Sequence, residues 1–298
     1  MKCNLVFVHG RSQEMKDASA LKEEWLAALD CGLASAGLSL PLQAKNVRFP
    51  YYGQTLYDLV NDTPAEHVAE VEVRGAAHSS TEQIFIQQVL EEVAERGELM
   101  PEQIQDEDER DAIARGMFND ARLLAILKAL DRNVPFASGV SIALATRDVH
   151  RYLTHLGTRD SIETGVRKAL STDVPSVVVA HSLGTVVAYN LLRREAETHG
   201  WKVPMLITLG SPLGVRAVRM RLAPISHPAG VTAWFNARDP LDLVALNPLD
   251  AQSFSIKPSI ENKNDVVNDT ENRHGIGGYL RDPEIARRIH DALTRASE

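Results

Sequence analysis

Two cysteines in 298 residues, Cys3 and Cys31, are too few for a disulfide framework. One stands at the start of an expected strand and the other within an expected helix, so the chain reads as reduced and cytoplasmic. No apolar run approaches the roughly 20 residues of a membrane-spanning helix. The opening Met1–Gly10 stretch is too short in its apolar part for a signal-peptide core and has no cleavage site, so it reads as a first strand. Basic residues are in deficit, 32 Lys and Arg against 40 Asp and Glu, for a formal net charge of −8. That balance argues against nucleic acid as the main partner, because phosphate binding requires a basic surface. Metal motifs are missing as well. There is no His-Glu-x-x-His and no cysteine pair, His150 and His155 do not share one helical face, and Asp265 and Asp269 lack an EF-hand spacing. We therefore expect neither a metal nor a cofactor. Internal repeats and low-complexity linkers are also absent.

The pattern that remains is an alternation of strands and helices. Strands are expected at Asn4–Val8, Lys45–Tyr52, Val174–Ala180, Val203–Leu209 and Val231–Asn236. Leu21, Trp25, Leu26 and Leu29 mark a helix after the first strand. The last helix opens with Asp282-Pro283-Glu284, a cap and first-turn signature, and carries Ile285, Ile289 and Leu293 on one face. Such alternation predicts an α/β fold: a mostly parallel sheet with helices on both faces.

Between residues 54 and 160 the character changes to helical. Ser80 and Gln83 are spaced as a capping pair ahead of Ile86, Val89, Leu90 and Val93. Leu123, Leu124, Leu127 and Leu130 form a second stripe, and Val134–Leu156 is a third helical stretch. The run Glu102–Asp111 is acidic and reads as a solvated face. We expect an α/β core over 1–53 and 161–298 and a helical insertion over 54–160. The insertion is expected to fold over the strand ends as a cap. The alternative is a helical subdomain docked elsewhere and serving self-association into a homo-oligomer.

The most informative segment is Val177-Val178-Val179-Ala180-His181-Ser182-Leu183-Gly184-Thr185. An apolar β-branched run enters a turn with Ser at its apex and continues into the buried helix Thr185–Leu192. A strand–turn–helix of this kind strains the Ser backbone and pushes its hydroxyl out of the sheet. It requires small residues two before and two after the Ser, here Ala180 and Gly184. The plain alternative is a Ser that merely caps the helix.

A Ser hydroxyl needs a His base, and the His needs a carboxylate to fix its tautomer. With Ser first, then acid, then His along the chain, His274 and His290 are the eligible bases. His274 lies in the glycine-rich loop Glu271–Gly278, whereas His290 lies inside the last helix, so His274 is preferred. Asp242 and Asp239 both follow the Val231–Asn236 strand. Asp239 precedes Pro240 and suits a turn, which favours Asp242 as the acid and leaves Asp239 as the alternative. Two backbone donors for an oxyanion are expected from the N–H groups of Leu183 and Arg11. His181 is assigned to packing. Arg216, Arg219 and Arg221 read as a solvated helix face, with an anion site as the sharper alternative.

Val6-Phe7-Val8-His9-Gly10, Ala180-His181-Ser182-Leu183-Gly184, Leu209–Gly214, Trp234–Val244 and His274 together resemble the α/β-hydrolase superfamily on its lipase and esterase side. The resemblance covers about two thirds of the chain and leaves 54–160 unmatched. It implies a serine hydrolase acting on a small-molecule carboxylic ester, with a lipid or other acyl-chain compound as one such substrate, through an acyl-enzyme and without a cofactor. An amidase or peptidase with the same three residues is the alternative enzyme. A catalytically silent interaction module is the alternative outside enzymes.

Overall fold

The computed structural model describes residues 3–10, 17–53, 80–99, 121–134 and 139–297. Six strands form one all-parallel sheet in the order β2-β1-β3-β4-β5-β6. They are β1 (Asn4–Val8), β2 (Val47–Arg48), β3 (Ser176–His181), β4 (Val203–Leu209), β5 (Val231–Ala237) and β6 (Glu261–Lys263). The helices are α1 (Ala18–Ser35), α2 (Ser80–Arg96), α3 (Ala121–Asn133), α4 (Gly139–Thr154), α5 (Leu156–Ala169), α6 (Leu183–His199), α7 (Arg216–Leu222), α8 (Ile276–Leu280) and α9 (Pro283–Ser297). The expected α/β architecture with helices on both faces of a parallel sheet is present.

Successive residues of a strand point to opposite faces, and the central strands are apolar on both. On one face Leu5, Phe7, Val177, Val179, Ile207 and Phe235 pack against α1, α8 and α9. On the other, Val6, Val8, Val178, Ala180, Leu206 and Trp234 share a core with α6, α7 and the described helices of the insertion. Fully burying a Val, Leu, Ile or Phe side chain contributes about 1.5–3 kcal/mol each. Two-sided burial therefore explains why β1, β3, β4 and β5 are runs rather than alternations.

The structure departs from expectation at the sheet edges. The second strand, expected over Lys45–Tyr52, is only Val47–Arg48. A 3-10 turn occupies Ala44–Asn46, and Pro50 has no N–H to extend the ladder. Strand β6 was not anticipated, because Glu-Asn-Lys carries no apolar signal. It is held by a polar row. Thr208 Oγ1 donates to Asn236 Oδ1 at 2.9 Å, and Asn236 Nδ2 donates to Asn262 Oδ1 at 2.9 Å, along the register Thr208↔Asn236↔Asn262.

The insertion is not a lid detached from the core. Phe85, Ile86, Leu90, Leu127, Leu130, Ala143 and Tyr152 are buried in the same cluster as Val186 and Leu191 of α6. A boundary at residue 160 runs through α5. Polar contacts tie α4, α5 and α6 together. Tyr152 Oη donates to Glu163 Oε1 at 2.6 Å, Asn190 Nδ2 donates to Tyr152 Oη at 3.0 Å, and Arg194 Nη2 donates to Glu163 Oε2 at 2.5 Å. Arg11, the acidic run Glu102–Asp111 and the remaining parts of the insertion lie outside the described residues.

The Glu163 side chain is 1% exposed, while its partners Arg167 and Arg194 are 27% and 35% exposed. Breaking a buried ion pair costs about 3–5 kcal/mol, and partial screening of the arginines reduces this. Glu163→Ala should lower stability by about 2 kcal/mol. A urea titration reads this as a lower midpoint at unchanged slope; an unchanged midpoint contradicts the assigned role.

Candidate active site

The register aligns the carboxyl ends of the strands. Val8 pairs with Ala180, His181 with Leu209, Leu209 with Ala237, and Ala237 with Lys263. Backbone hydrogen bonds continue past the strand ends, from Ser182 N to Leu209 O, Gly210 N to Ala237 O and Arg238 N to Lys263 O. Gly10, Ser182, Gly210 and Asp239 therefore emerge along one edge. The sheet grows from β1 to one side with β2 and then to the other with β3 to β6, and the crevice at such a switch point is where open α/β sheets bind ligands.

Ser182 occupies φ 55°, ψ −130°. A non-glycine residue held there costs about 1–3 kcal/mol and persists only where its surroundings enforce it. The enforcement is backbone packing. A methyl on Gly184 would lie 2.2 Å from the Val8 carbonyl oxygen, and one on Gly10 would lie 2.7 Å from Ser182 Cβ. The helix and the end of β1 therefore meet backbone to backbone, and the need for a small residue at 184 comes from β1 rather than from β3. Ser182 precedes α6, yet its side chain makes no capping bond. The hydroxyl is turned to His274 instead, with Oγ 2.9 Å from Nε2.

His274 Nδ1 lies 2.7 Å from Asp242 Oδ2. A carboxylate only accepts, so Nδ1 of the neutral ring carries the proton and Nε2 accepts from the Ser182 hydroxyl. Asp242 is fully buried. Its Oδ1 accepts from the N–H of Val244 at 2.9 Å and of Ala245 at 3.2 Å, and its Oδ2 also accepts from Tyr279 Oη at 2.6 Å. Burial pushes this carboxyl upward, but the His274 ring and these donors outweigh it and hold the pKa below the ordinary carboxylate value.

Asp239 does different work. Its Oδ1 accepts from Leu241 N and its Oδ2 from Asn268 N, both at 2.7 Å. It closes the turn after β5 and pins the loop that leads to His274. The structure thus brings Ser182, His274 and Asp242 into one hydrogen-bonded chain and leaves Asp239 beside it. His290 is engaged by neighbouring Asp291 within α9. Leu183 is the first residue of α6, where an N–H has no intrahelical acceptor.

Three supporting residues escaped the sequence reading, and a fourth, His181, was read only as packing. Tyr279 reaches Asp242. Arg238 donates through Nη1 to the carbonyls of Ala245 and Leu246, closing the loop that carries Asp242. Asn268 donates through Nδ2 to Gly275 O and accepts from Thr270, shaping the turn before His274. His181 is more than packing, since its Nε2–H donates to the His274 carbonyl at 2.8 Å. The glycine-rich run Gly275–Gly278 was the one available signal; a methyl on Gly278 would lie 2.1 Å from Asn268 Oδ1.

A pocket of about 430 Å³, counting the part open to solvent, adjoins Ser182. Its walls include Val89, Ile142 and Val149 of the insertion and Val215, Val218 and Leu243 of the core. Thr146 is a polar lining residue, but its hydroxyl donates to Ile142 O. Among the described residues no group of His, Cys, Asp and Glu is arranged to hold a metal, and Asp265 and Asp269 pair with Lys263 and Arg281. No described helix is long and apolar enough to cross a membrane. Of the arginines read as a solvated face, Arg219 donates to the Gln252 and Ser253 carbonyls and Arg221 lies over the Phe85 ring.

The class defined by fold and site is an α/β protein whose parallel sheet carries a Ser–His–Asp chain at its carboxyl edge. No family model, curated protein or solved structure matches the chain.

Two further histidines are buried beside the site. Burial lowers the pKa of His9 to about 4 and that of His181 to about 3, so both rings are neutral near pH 7. His9 Nδ1–H donates to Gly10 O, and Nε2 accepts from Tyr52 N. The folded values lie below the unfolded value near 6.5, so the stability these rings contribute is present above pH 6.5 and is lost as pH falls toward 4. Between pH 7 and 5 each should remove about 2 kcal/mol. Urea unfolding at the two pH values tests this; equal midpoints would show that neither ring is held neutral.

Proposed function

We propose that the protein is a serine hydrolase of the α/β-hydrolase type that cleaves a carboxylic ester with an apolar acyl or alcohol group. The observation that carries this is the chain Ser182 Oγ–His274 Nε2 at 2.9 Å and His274 Nδ1–Asp242 Oδ2 at 2.7 Å, set beside a strained Ser backbone. In this reading Ser182 Oγ attacks the acyl carbon as its proton passes to His274 Nε2. Asp242 holds the tautomer and stabilises the cation that forms. The Leu183 N–H, at the positive end of α6, donates to the oxyanion, with Arg11 as the expected second donor. Collapse expels the alcohol, which takes the proton from His274. Water, activated by His274, then hydrolyses the acyl-enzyme and restores the Ser hydroxyl.

The described pocket walls support an apolar group, since apart from Ser182 they offer hydrocarbon and the Thr146 hydroxyl, which donates to its own helix. Each methylene buried there is worth about 0.8 kcal/mol. Among the described lining residues a charged group would find no charged partner, which disfavours a charged peptide substrate.

A fluorophosphonate probe should label wild-type protein at Ser182 and leave Ser182→Ala unlabelled. Absence of label on the wild type would favour the silent-module reading. With a p-nitrophenyl ester that is turned over, Asp242→Asn should lower kcat by about 10⁴-fold, the cost of the wrong His tautomer in a comparable enzyme. Asp239→Asn should cost far less, and the reverse order would exchange the two roles. Values of kcat/KM should rise from acetyl toward longer acyl esters until the pocket is filled. A flat series would remove the apolar substrate and leave the hydrolase.

A further inference from the structure

Tyr279 sits five residues after His274, on the short helix α8, and is completely buried. Its hydroxyl has two neighbours. The Asp239 N–H lies 3.2 Å away and can only donate, and Asp242 Oδ2 lies 2.6 Å away and can only accept. The direction of the phenol proton is therefore settled: Tyr279 receives from Asp239 and gives to Asp242. The oxygen it binds is Oδ2, the same atom that receives His274 Nδ1–H. The other oxygen, Oδ1, is held by two backbone N–H groups of its own loop. With Oδ1 held locally, Tyr279 is the side-chain donor besides His274 itself that acts on Oδ2 from outside the Asp242 loop. It also links the two aspartates that follow β5.

Resting on the hydrolase reading above, we propose that Tyr279 is a positioning residue that sets both the direction and the basicity of the Asp242 oxygen facing His274. A second donor on Oδ2 draws off part of its negative charge and weakens its hold on a protonated His274. The acid thus orients the base without trapping it as the cation. The other titratable or charged groups around this pair are His181, whose ring lies 6.0 Å from that of Tyr279, together with Asp239, Arg238 and Arg273. All of them are retained when only the phenol oxygen is removed.

The test is the rate of fluorophosphonate labelling of Ser182 against pH, read by intact-mass spectrometry. It compares wild type, Tyr279→Phe and the control Tyr189→Phe, whose buried hydroxyl donates instead to Ser226 O. Loss of one well-formed hydrogen bond corresponds to about a tenfold change. Tyr279→Phe should label about tenfold more slowly on the plateau, and its acid limb should move up by about 0.5 pH unit, because a more basic Asp242 retains the imidazolium longer. Tyr189→Phe should move neither. Placing 3-fluorotyrosine at 279 keeps the ring and strengthens the donor, so its limb should move down; this variant decides the matter if Tyr279→Phe does not fold. An acid limb at the wild-type pH in every folded variant at 279 overturns the proposal while leaving the hydrolase intact. Failure of the wild type to label at Ser182 overturns the hydrolase reading and this proposal with it.

Discussion

The arrangement at the sheet's carboxyl edge depends on one close approach, that of the β3–α6 turn to the end of β1. Gly184 lies against the Val8 and His9 carbonyls, and Gly10 lies against Ser182. No side chain separates these backbones, so α6 starts directly behind the strand and Ser182 is forced to positive φ. Once it is held there, its hydroxyl cannot serve as an ordinary helix cap and faces the loops that follow β4, β5 and β6. His9 reinforces the contact from below by stacking on Tyr52 and accepting its N–H.

Around that contact the molecule invests polar interactions in loops rather than in strands. Asp239 binds a backbone N–H of the loop after β6, Arg238 and Asn268 bind carbonyls further along their own loops, and each is buried. Buried polar groups must be satisfied or they cost stability. A network that is satisfied in only one geometry therefore fixes that geometry. His274 arrives on Asp242 because its loop is tied at Asn268 to Asp239, at its own carbonyl to His181, and through Tyr279 to Asp242 itself. These ties span up to 93 residues of sequence.

The insertion shows how apolar area and pocket shape are linked. Its described helices extend the core that covers α6, and the same helices supply Val89, Ile142 and Val149 to the wall beside Ser182. One set of side chains thus helps hold the fold together and shapes the space where a substrate of the proposed reaction would lie. The Glu163 network ties α4, α5 and α6 together, so the pocket wall is joined by polar contacts to the helix that begins at the proposed nucleophile.

Local pattern alone determined a good deal. Short apolar runs placed β1, β3, β4 and β5, Asp282-Pro283 opened the last helix, and the small residues around Ser182 favoured a tight strand–turn–helix over a plain cap. Chain order and a glycine-rich loop singled out His274, and Asp-Pro chemistry favoured Asp242 over Asp239. Apart from the chain order, which is a rule of the fold resembled, these are short-range effects, legible because each acts within a few residues. The tertiary structure decided the rest. It cut β2 to two residues and paired Glu261–Lys263 through an asparagine row. It gave Asp239 its ties to the 268 loop, merged the insertion into the core, and set Tyr279 and His181 on the Asp242–His274 pair. None of these leaves a periodic or compositional trace, because each is a polar or backbone contact between residues far apart in the chain. Such a contact exists only when the folded sheet brings both partners to one edge.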